Sequence, residues 1–270
     1  MKKILSIFGT RPEAIKMAPI VNILNKDNRF ESRVCVTAQH REMLDQVLKV
    51  FDIRPDYDLN LMTTDQTISQ ITSKLITSLD IVMSEFEPDI LLVHGDTTTT
   101  LCGALSGFFH KTLVVHVEAG LRTGNIYSPW PEEANRKLTA SLANIHFAPT
   151  EIAKENLVNE GIDPKKIFIT GNTVIDSLLQ AIDIIYNDEK ILIDLQKKFN
   201  FIDAGEKVIL VTGHRRENFG SGIKNICNAI KKISDANKDV VIVYPVHLNP
   251  NVLGPVNEML GDIKNVHLIS

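Results

Sequence analysis

Short apolar runs alternate along this chain with longer stretches in which apolar side chains recur every three or four positions. The runs suit strands buried on both faces, and the stretches suit helices with one apolar face. Their alternation therefore predicts parallel βαβ units. Residues 3–8 read as the first strand and Gly9-Thr10-Arg11-Pro12-Glu13 as a turn into a helix, with Thr10 at the cap and Pro12 near the first position. Residues 33–37 form the next expected strand. Residues 41–51 form an amphipathic helix in which Met43, Leu44, Val47, Leu48 and Phe51 share a face, and a longer helix spans 66–86. A strand over 89–94 ends in Gly95-Asp96 and leads into a helix opened by Thr97 and reaching Phe109; 113–117 repeats the strand pattern and ends in Glu118-Ala119-Gly120. After a loop over 124–131 come a helix over 132–142, a strand over 145–148, a helix from Glu151 and a strand over 167–170.

From Gly171 the pattern continues with a helical stretch to Tyr186 and a charged, uneven segment over 188–206. A strand over 207–212 then runs into a Gly-His-Arg-Arg turn and a helix, followed by strands over 240–246 and 266–269 with a proline-bearing loop and a helix between them. The fold class is α/β, and 270 residues suit two domains: an N-terminal Rossmann-like domain over 1–170, and a linker helix with a partial C-terminal Rossmann-like domain over 171–270. Three strands with two helices leave a parallel sheet with a bare edge, so the C-terminal unit is expected to be incomplete.

Composition narrows the function classes. At 44% hydrophobic and 23% charged residues the chain has the makings of a sizeable core. Its net charge of −4, without Lys/Arg clusters, excludes nucleic acid as the expected partner. The apolar runs fall short of the roughly 20 residues needed to cross a bilayer, and the run after Met1-Lys2-Lys3 is too short for a secretory segment, so no membrane partner and a cytoplasmic location are expected. Cys35, Cys102 and Cys227 are widely spaced in apolar segments and read as reduced core thiols.

Ligands of doubly wound sheets bind beyond the carboxyl ends of the strands. Four polar clusters fall there: residues 9–13, 95–97, 118–122 and 213–217. The first pairs a helix start with Arg11, which suits an anion or simply a capped helix with a solvated arginine. Asp96, Glu118 and Glu132 come from different loops on one sheet edge. They suit general acid and base work, while Asp96 and Glu132 also suit helix capping. His214, Arg215 and Arg216 suit a phosphate or a structural arginine cluster. His94, His116 and His247 lack the spacing of metal ligands, and no metal site is expected.

The strings GTRPEAIKMAP at 9–19, HGDTTTT at 94–100, HVEAGLRTG at 116–124, PEEANR at 131–136 and GHRREN at 213–218 occur in order, joined by APT at 148–150, TGNTVIDSL at 170–178 and YPVHLNP at 244–250. Together they resemble the non-hydrolysing UDP-N-acetylglucosamine 2-epimerases over essentially the whole chain.

The resemblance implies two facing Rossmann-like domains of GT-B type with a nucleotide sugar between them. It also implies reversible conversion of UDP-N-acetylglucosamine to UDP-N-acetylmannosamine for cell-surface polysaccharides, a homodimer and no cofactor. UDP leaves carbon 1 as carbon 2 loses its proton, 2-acetamidoglucal forms, and proton and UDP return. By matching motif positions, Asp96, Glu118 and Glu132 are the implied acid and base groups, and Arg11 and the catalytic His214 bind or protonate the departing diphosphate. Lys16 assists electrostatically, and Arg215 supports the diphosphate or a neighbouring effector site. That effector site, for a second UDP-N-acetylglucosamine, matches Gln39, His40, Gln66, Glu132, Arg215 and His247, with departures at Glu42 and Asp65, where relatives carry Gln and Arg. A Ser-Gly-Gly loop, a glutamate and an arginine that hold the nucleotide in the family have no counterpart here. Alternatives are a catalytically impaired binding fragment, a hydrolysing epimerase that releases UDP and N-acetylmannosamine, and a UDP-glycosyltransferase of the same architecture, against which the GTRPE, HVEAGLRTG and GHRREN strings count.

Overall fold

The computed structural model describes residues 1–37, 41–61, 66–203, 205–213 and 219–269, with the side chain of Glu42 left out. The chain forms two compact units, Met1–Asn187 and Asp188–Ser270. In the first, the strands β1 (Lys2–Phe8), β2 (Phe30–Val36), β3 (Tyr57–Asp58), β4 (Ile90–His94), β5 (Leu113–Val117), β6 (Ile145–Ala148) and β7 (Ile167–Ile169) form one parallel sheet in the order β3-β2-β1-β4-β5-β6-β7. The connections are α1 (Arg11–Lys26), α2 (Arg41–Val50), α3 (Ile68–Phe86), α4 (Thr98–Phe109), α5 (Glu132–Leu142) and α6 (Glu151–Asn159), with α7 (Val174–Asn187) after the last strand. The order reverses between β1 and β4, which places the crevice of a doubly wound sheet at their carboxyl ends.

The two-residue period of the strands divides the core. Ile4, Phe8, Val34, Val36, Leu92, Val115 and Val117 face one side, under Met17 and Val21 of α1 and Leu44 and Val47 of α2. Leu5, Ile7, Cys35, Leu91, Val93 and Val114 face the other, under Leu75, Leu79 and Met83 of α3 and Cys102 of α4. Cys35, Cys102 and Cys227 are buried free thiols, and burial pushes Cys35 up to about 12 and Cys102 to about 11.

Three features depart from the expectations. β2 begins at Phe30, before residue 33, because Phe30–Val36 pairs along the whole of β1. β3 has two residues and no apolar run to announce it. The boundary between units lies after Asn187 rather than at residue 170, because α7 packs on α1: Thr173 Oγ1 donates to the Lys16 carbonyl (2.6 Å), Ser177 Oγ donates to the Ile15 carbonyl, and Ala181 and Ile184 join the α1 core.

In the second unit, part of the charged segment forms α8 (Glu189–Lys198), capped by Asp188, whose carboxylate accepts from the Lys190 and Ile191 amides. The strands β8 (Lys207–Leu210), β9 (Val240–Pro245) and β10 (Val266–Ile269) pair in parallel in the order β10-β9-β8. Ile223, Cys227 and Ile230 of α9 (Ser221–Ala236) and Val252, Val256 and Leu260 of α10 (Pro250–Leu260) build the core against Ile242 and Tyr244. Tyr244 is fully buried, and its hydroxyl donates to the Gly213 carbonyl at 2.8 Å, fixing the chain where the Gly-His-Arg-Arg segment begins. No helix among the described residues is long and apolar enough to cross a membrane.

Two features of the first unit set its response to perturbation. Gly120 has φ +90°, and a Cβ there would lie 2.1 Å from the Ala153 carbonyl oxygen. Gly120→Ala is therefore expected to cost about 2–4 kcal/mol in urea unfolding, combining left-handed strain with a backbone clash; an unchanged midpoint would refute this.

His94, His116 and His146 are buried in β4, β5 and β6, with burial pushing His94 and His116 down to about 3 and His146 to about 4. The folded unit holds them neutral while the unfolded chain binds a proton at each. Their contribution to stability is therefore present above about pH 6.5 and is lost as pH falls towards 3, at up to about 1.4 kcal/mol per histidine per pH unit. Trp130, the single tryptophan, reports this unit. Unfolding free energies followed by its fluorescence should fall steeply below pH 6, and His146→Leu should flatten the slope by about one proton.

Candidate functional site

The β1–α1 turn is built around Glu13. Thr10 and Glu13 form a reciprocal cap of α1: Thr10 Oγ1 accepts from the Glu13 amide (3.4 Å), and Glu13 Oε2 accepts from the amides of Thr10 (2.8 Å) and Gly9 (3.0 Å). The other oxygen, Oε1, accepts from the hydroxyl of Thr97 (2.6 Å), which caps α4 across the crevice. Burial raises the Glu13 pKa, and the hydrogen bonds from Thr97, Gly9 and Thr10 offset part of that rise. These amides at the start of α1 are engaged by a carboxylate of the chain itself. The cationic side chain of this turn is Arg11, exposed at the first position of α1.

One turn further along α1, Lys16 meets Glu118. Its Nζ lies 2.7 and 2.6 Å from the two carboxylate oxygens, and Asn172 Nδ2, from the loop after β7, donates to Oε2 at 2.6 Å. Both members of the pair are largely shielded from solvent. Glu118 adopts φ +60°, rare for a residue of its size, where the chain leaves β5. Sequence reasoning lacked Asn172. Its signal was its place in the string after β7, where a polar residue reaches the same sheet edge.

Asp96 is held by Arg136, whose Nε and Nη2 donate to Oδ2 at 2.9 and 2.6 Å; Oδ1 accepts no hydrogen bond among the described residues. Arg136 Nη1 also donates to Glu133 Oε2 at 3.0 Å, and Glu133 Oε1 accepts from the amides of Thr123 and Gly124. Burial opposes charge on Glu133, but Arg136 and the two amides outweigh it and hold the carboxyl below its usual range. This chain of contacts fastens the 123–131 loop to the β4–α4 turn. Asn135 Nδ2 completes it by donating to the Asp96 carbonyl at 2.8 Å. Glu132 is half-buried at the first position of α5, and no ion pair or hydrogen bond to its carboxylate forms among the described residues. Glu133 and Arg136 were also missed: both belong to the PEEANR string, but their roles depend on a loop folded back over them.

Of the remaining expected residues, Gln66 directly precedes the Thr67 cap of α3, and His247 Nδ1 accepts from the Asn249 amide (3.0 Å) in the second unit. Gln39, His40, Asp65, His214 and Arg215 lie outside the described residues, as does the side chain of Glu42. His116 Nε2 lies 2.7 Å from the Gly95 carbonyl and packs edge-on against His146, in a structural role beneath the site. No group of His, Cys, Asp and Glu among the described residues is arranged to hold a metal ion. An apolar cavity of about 400 Å³ between α1, α2 and α7, lined by residues such as Ile15, Val47, Phe51 and Leu178, touches none of the candidate carboxylates. The candidate carboxylates lie at the sheet edge instead.

Residues 22–270 match the family model described as UDP-N-acetylglucosamine 2-epimerase. The UDP-N-acetylglucosamine 2-epimerase of Escherichia coli (strain K12) is 58% identical over 267 residues, covering 99% of this chain and 71% of that protein. The crystal structure of UDP-GlcNAc 2-epimerase from Neisseria meningitidis bound to UDP-GlcNAc superposes with a TM-score of 0.93 at 52% identity, covering 99% of this chain and 72% of that one. The Methanocaldococcus jannaschii UDP-GlcNAc 2-epimerase in complex with UDP-GlcNAc and UDP gives 0.81 at 35% identity, covering 99% and 73%. A doubly wound unit with acidic groups from successive loops at its switch point, together with family-wide likeness along 99% of the length, places this chain in the UDP-N-acetylglucosamine 2-epimerase family.

Proposed function

We propose that the chain catalyses reversible epimerisation at carbon 2 of UDP-N-acetylglucosamine without net hydrolysis, by eliminating and re-adding UDP. The observation that carries this reading is the cluster Lys16–Glu118–Asn172 at the carboxyl edge of the sheet, which sets the orientation of a carboxylate before any substrate arrives.

The hydrogen on carbon 2 is not acidic enough for simple removal by a carboxylate. In the proposed step its loss accompanies cleavage of the bond between carbon 1 and the phosphate oxygen. A carboxylate takes the proton, the C–H electron pair forms the double bond of 2-acetamidoglucal, and the C–O pair leaves with UDP. Return of a proton to the opposite face and of the UDP oxygen to carbon 1 completes the inversion, with atoms and electrons balanced and no redox change. Inversion needs proton transfer on two faces; Asp96 comes from the β4–α4 turn, and Glu118 and Glu132 stand at the two ends of the β5–α5 connection. Arg11 and Lys16 supply positive charge for the departing diphosphate. Of the three candidate carboxylates, Glu132 and the Oδ1 of Asp96 are the positions that accept no hydrogen bond among the described residues, which supports their part in proton transfer.

Proton NMR of UDP-N-acetylglucosamine incubated with the chain in heavy water tests the reading. Deuterium at carbon 2 together with reversible appearance of UDP-N-acetylmannosamine is expected; free N-acetylmannosamine with UDP would identify hydrolysis, and no exchange would reject the activity. In the same assay Glu118→Gln should lower kcat by about 10²–10⁴-fold, the range for losing an acid or base. Asn172→Ala should lower it by about tenfold with the UDP Kd little changed; wild-type turnover in both would remove Glu118 from the mechanism.

A further inference from the structure

We propose that Glu13 is a positioning residue of this reaction: its carboxylate joins the β1–α1 turn to the β4–α4 turn, and so holds Arg11 and Lys16 in register with Asp96. The proposal rests on the epimerase reading of the site.

A helix start accounts for only half of what Glu13 does. Oε2 completes the local cap with the Thr10 amide, three residues away, and also takes the Gly9 amide. Oε1 serves no local purpose. It receives the Thr97 hydroxyl and lies 3.1 Å from the Thr100 hydroxyl, groups 84 and 87 residues distant on the far side of the crevice. A capping glutamate that did nothing else could sit in solvent, yet Glu13 is 3% exposed. Taking a carboxyl group out of water is unfavourable unless several donors replace its hydration, and here the donors come from both turns.

The contacts are directional. Thr97 Oγ1 accepts from the Thr100 amide at 3.2 Å, so its lone pair starts α4 while its proton goes to Glu13. The Thr100 hydroxyl is shared between Glu13 and the His94 carbonyl at the last residue of β4. Glu13 therefore orients the residue that directly follows Asp96, while Lys16 follows Glu13 by one helical turn and meets Glu118. A slip of one turn against the other would move the anion-binding cations relative to the acid–base groups, and displacement by about 1 Å can cost about 10²-fold in rate.

The test compares Thr97→Val, which keeps shape and removes the hydroxyl, with Thr97→Ser, which keeps the hydroxyl, alongside Glu13→Gln and the Glu13→Gln/Thr97→Val double variant. Each is measured for kcat and KM of carbon-2 exchange, for urea midpoint, and for amide hydrogen exchange at Gly9 and Thr10. Thr97→Val and Glu13→Gln should each lower kcat by about 10–100-fold with KM within about threefold. Thr97→Ser should restore most of the rate, the double variant should be no slower than its slower parent, and Thr97→Val should speed exchange at Gly9 and Thr10. Wild-type kcat in either single variant, rate losses that multiply in the double variant, or rate losses that only track the unfolded fraction would overturn the proposal. If the unaltered chain fails to exchange carbon 2, the epimerase reading falls; unchanged Gly9 and Thr10 protection in Thr97→Val overturns the coupling itself, whatever the activity.

Discussion

In a parallel sheet every strand ends on the same edge, and where strand order reverses the chain leaves two neighbouring strands in opposite directions. That reversal between β1 and β4 opens the crevice on which the candidate site depends. Many doubly wound proteins leave the helix N-terminus beside such a crevice free for a phosphate. Here Glu13 turns its carboxylate into that place and takes the amides of Gly9 and Thr10. The Gly9 and Thr10 amides are thereby engaged from within the chain, while Arg11 is exposed at the start of α1 and Lys16 is paired with Glu118.

Around the crevice, the chain spends unusual geometry on one group. Glu118 sits in the left-handed region, which costs a residue of its kind about 1–3 kcal/mol. Lys16 and Asn172 hold it from two sides, and the bonds from Thr173 and Ser177 to the Lys16 and Ile15 carbonyls lock α7 to the helix that carries Lys16. Strain at this place is thus supported by elements from both ends of the first unit, a pattern typical of sites whose orientation must exist before the ligand binds. Asp96 has a parallel support in Arg136 and Glu133, which fasten the neighbouring loop and, among the described residues, leave one Asp96 carboxylate oxygen without a hydrogen bond. The two acids are held on different terms, one by a lysine and an amide, the other by a bifurcated arginine.

The strands and helices of the first unit were legible because their signals are local. A run such as Ile90–His94 needs only its own apolar side chains to read as a buried strand, and Thr10, Pro12 and Glu13 announce a helix start within four residues. β3 was not legible: two residues carry no period, and they pair only because β2 presents an open edge. The extent of the first unit was misjudged for a similar reason. Nothing in the periodicity of α7 says which partner its apolar face will choose, and hydroxyls at Thr173 and Ser177 decided it by reaching carbonyls of α1.

By itself, then, the sequence determined the class of fold, the strand ends on which polar residues fall and, through its ordered strings, the family. Tertiary structure alone decided which of these side chains meet: that Lys16 pairs with Glu118, that Arg136 bridges Asp96 to Glu133, that Asn172 joins the cluster, and that Glu13 reaches Thr97. Each of these contacts, apart from Arg136 with Glu133, spans some 40 to 100 residues of chain. A hydrogen bond is short and directional, and periodicity records only which face a residue occupies. Contact between distant polar groups is therefore settled when the sheet brings its strand ends together.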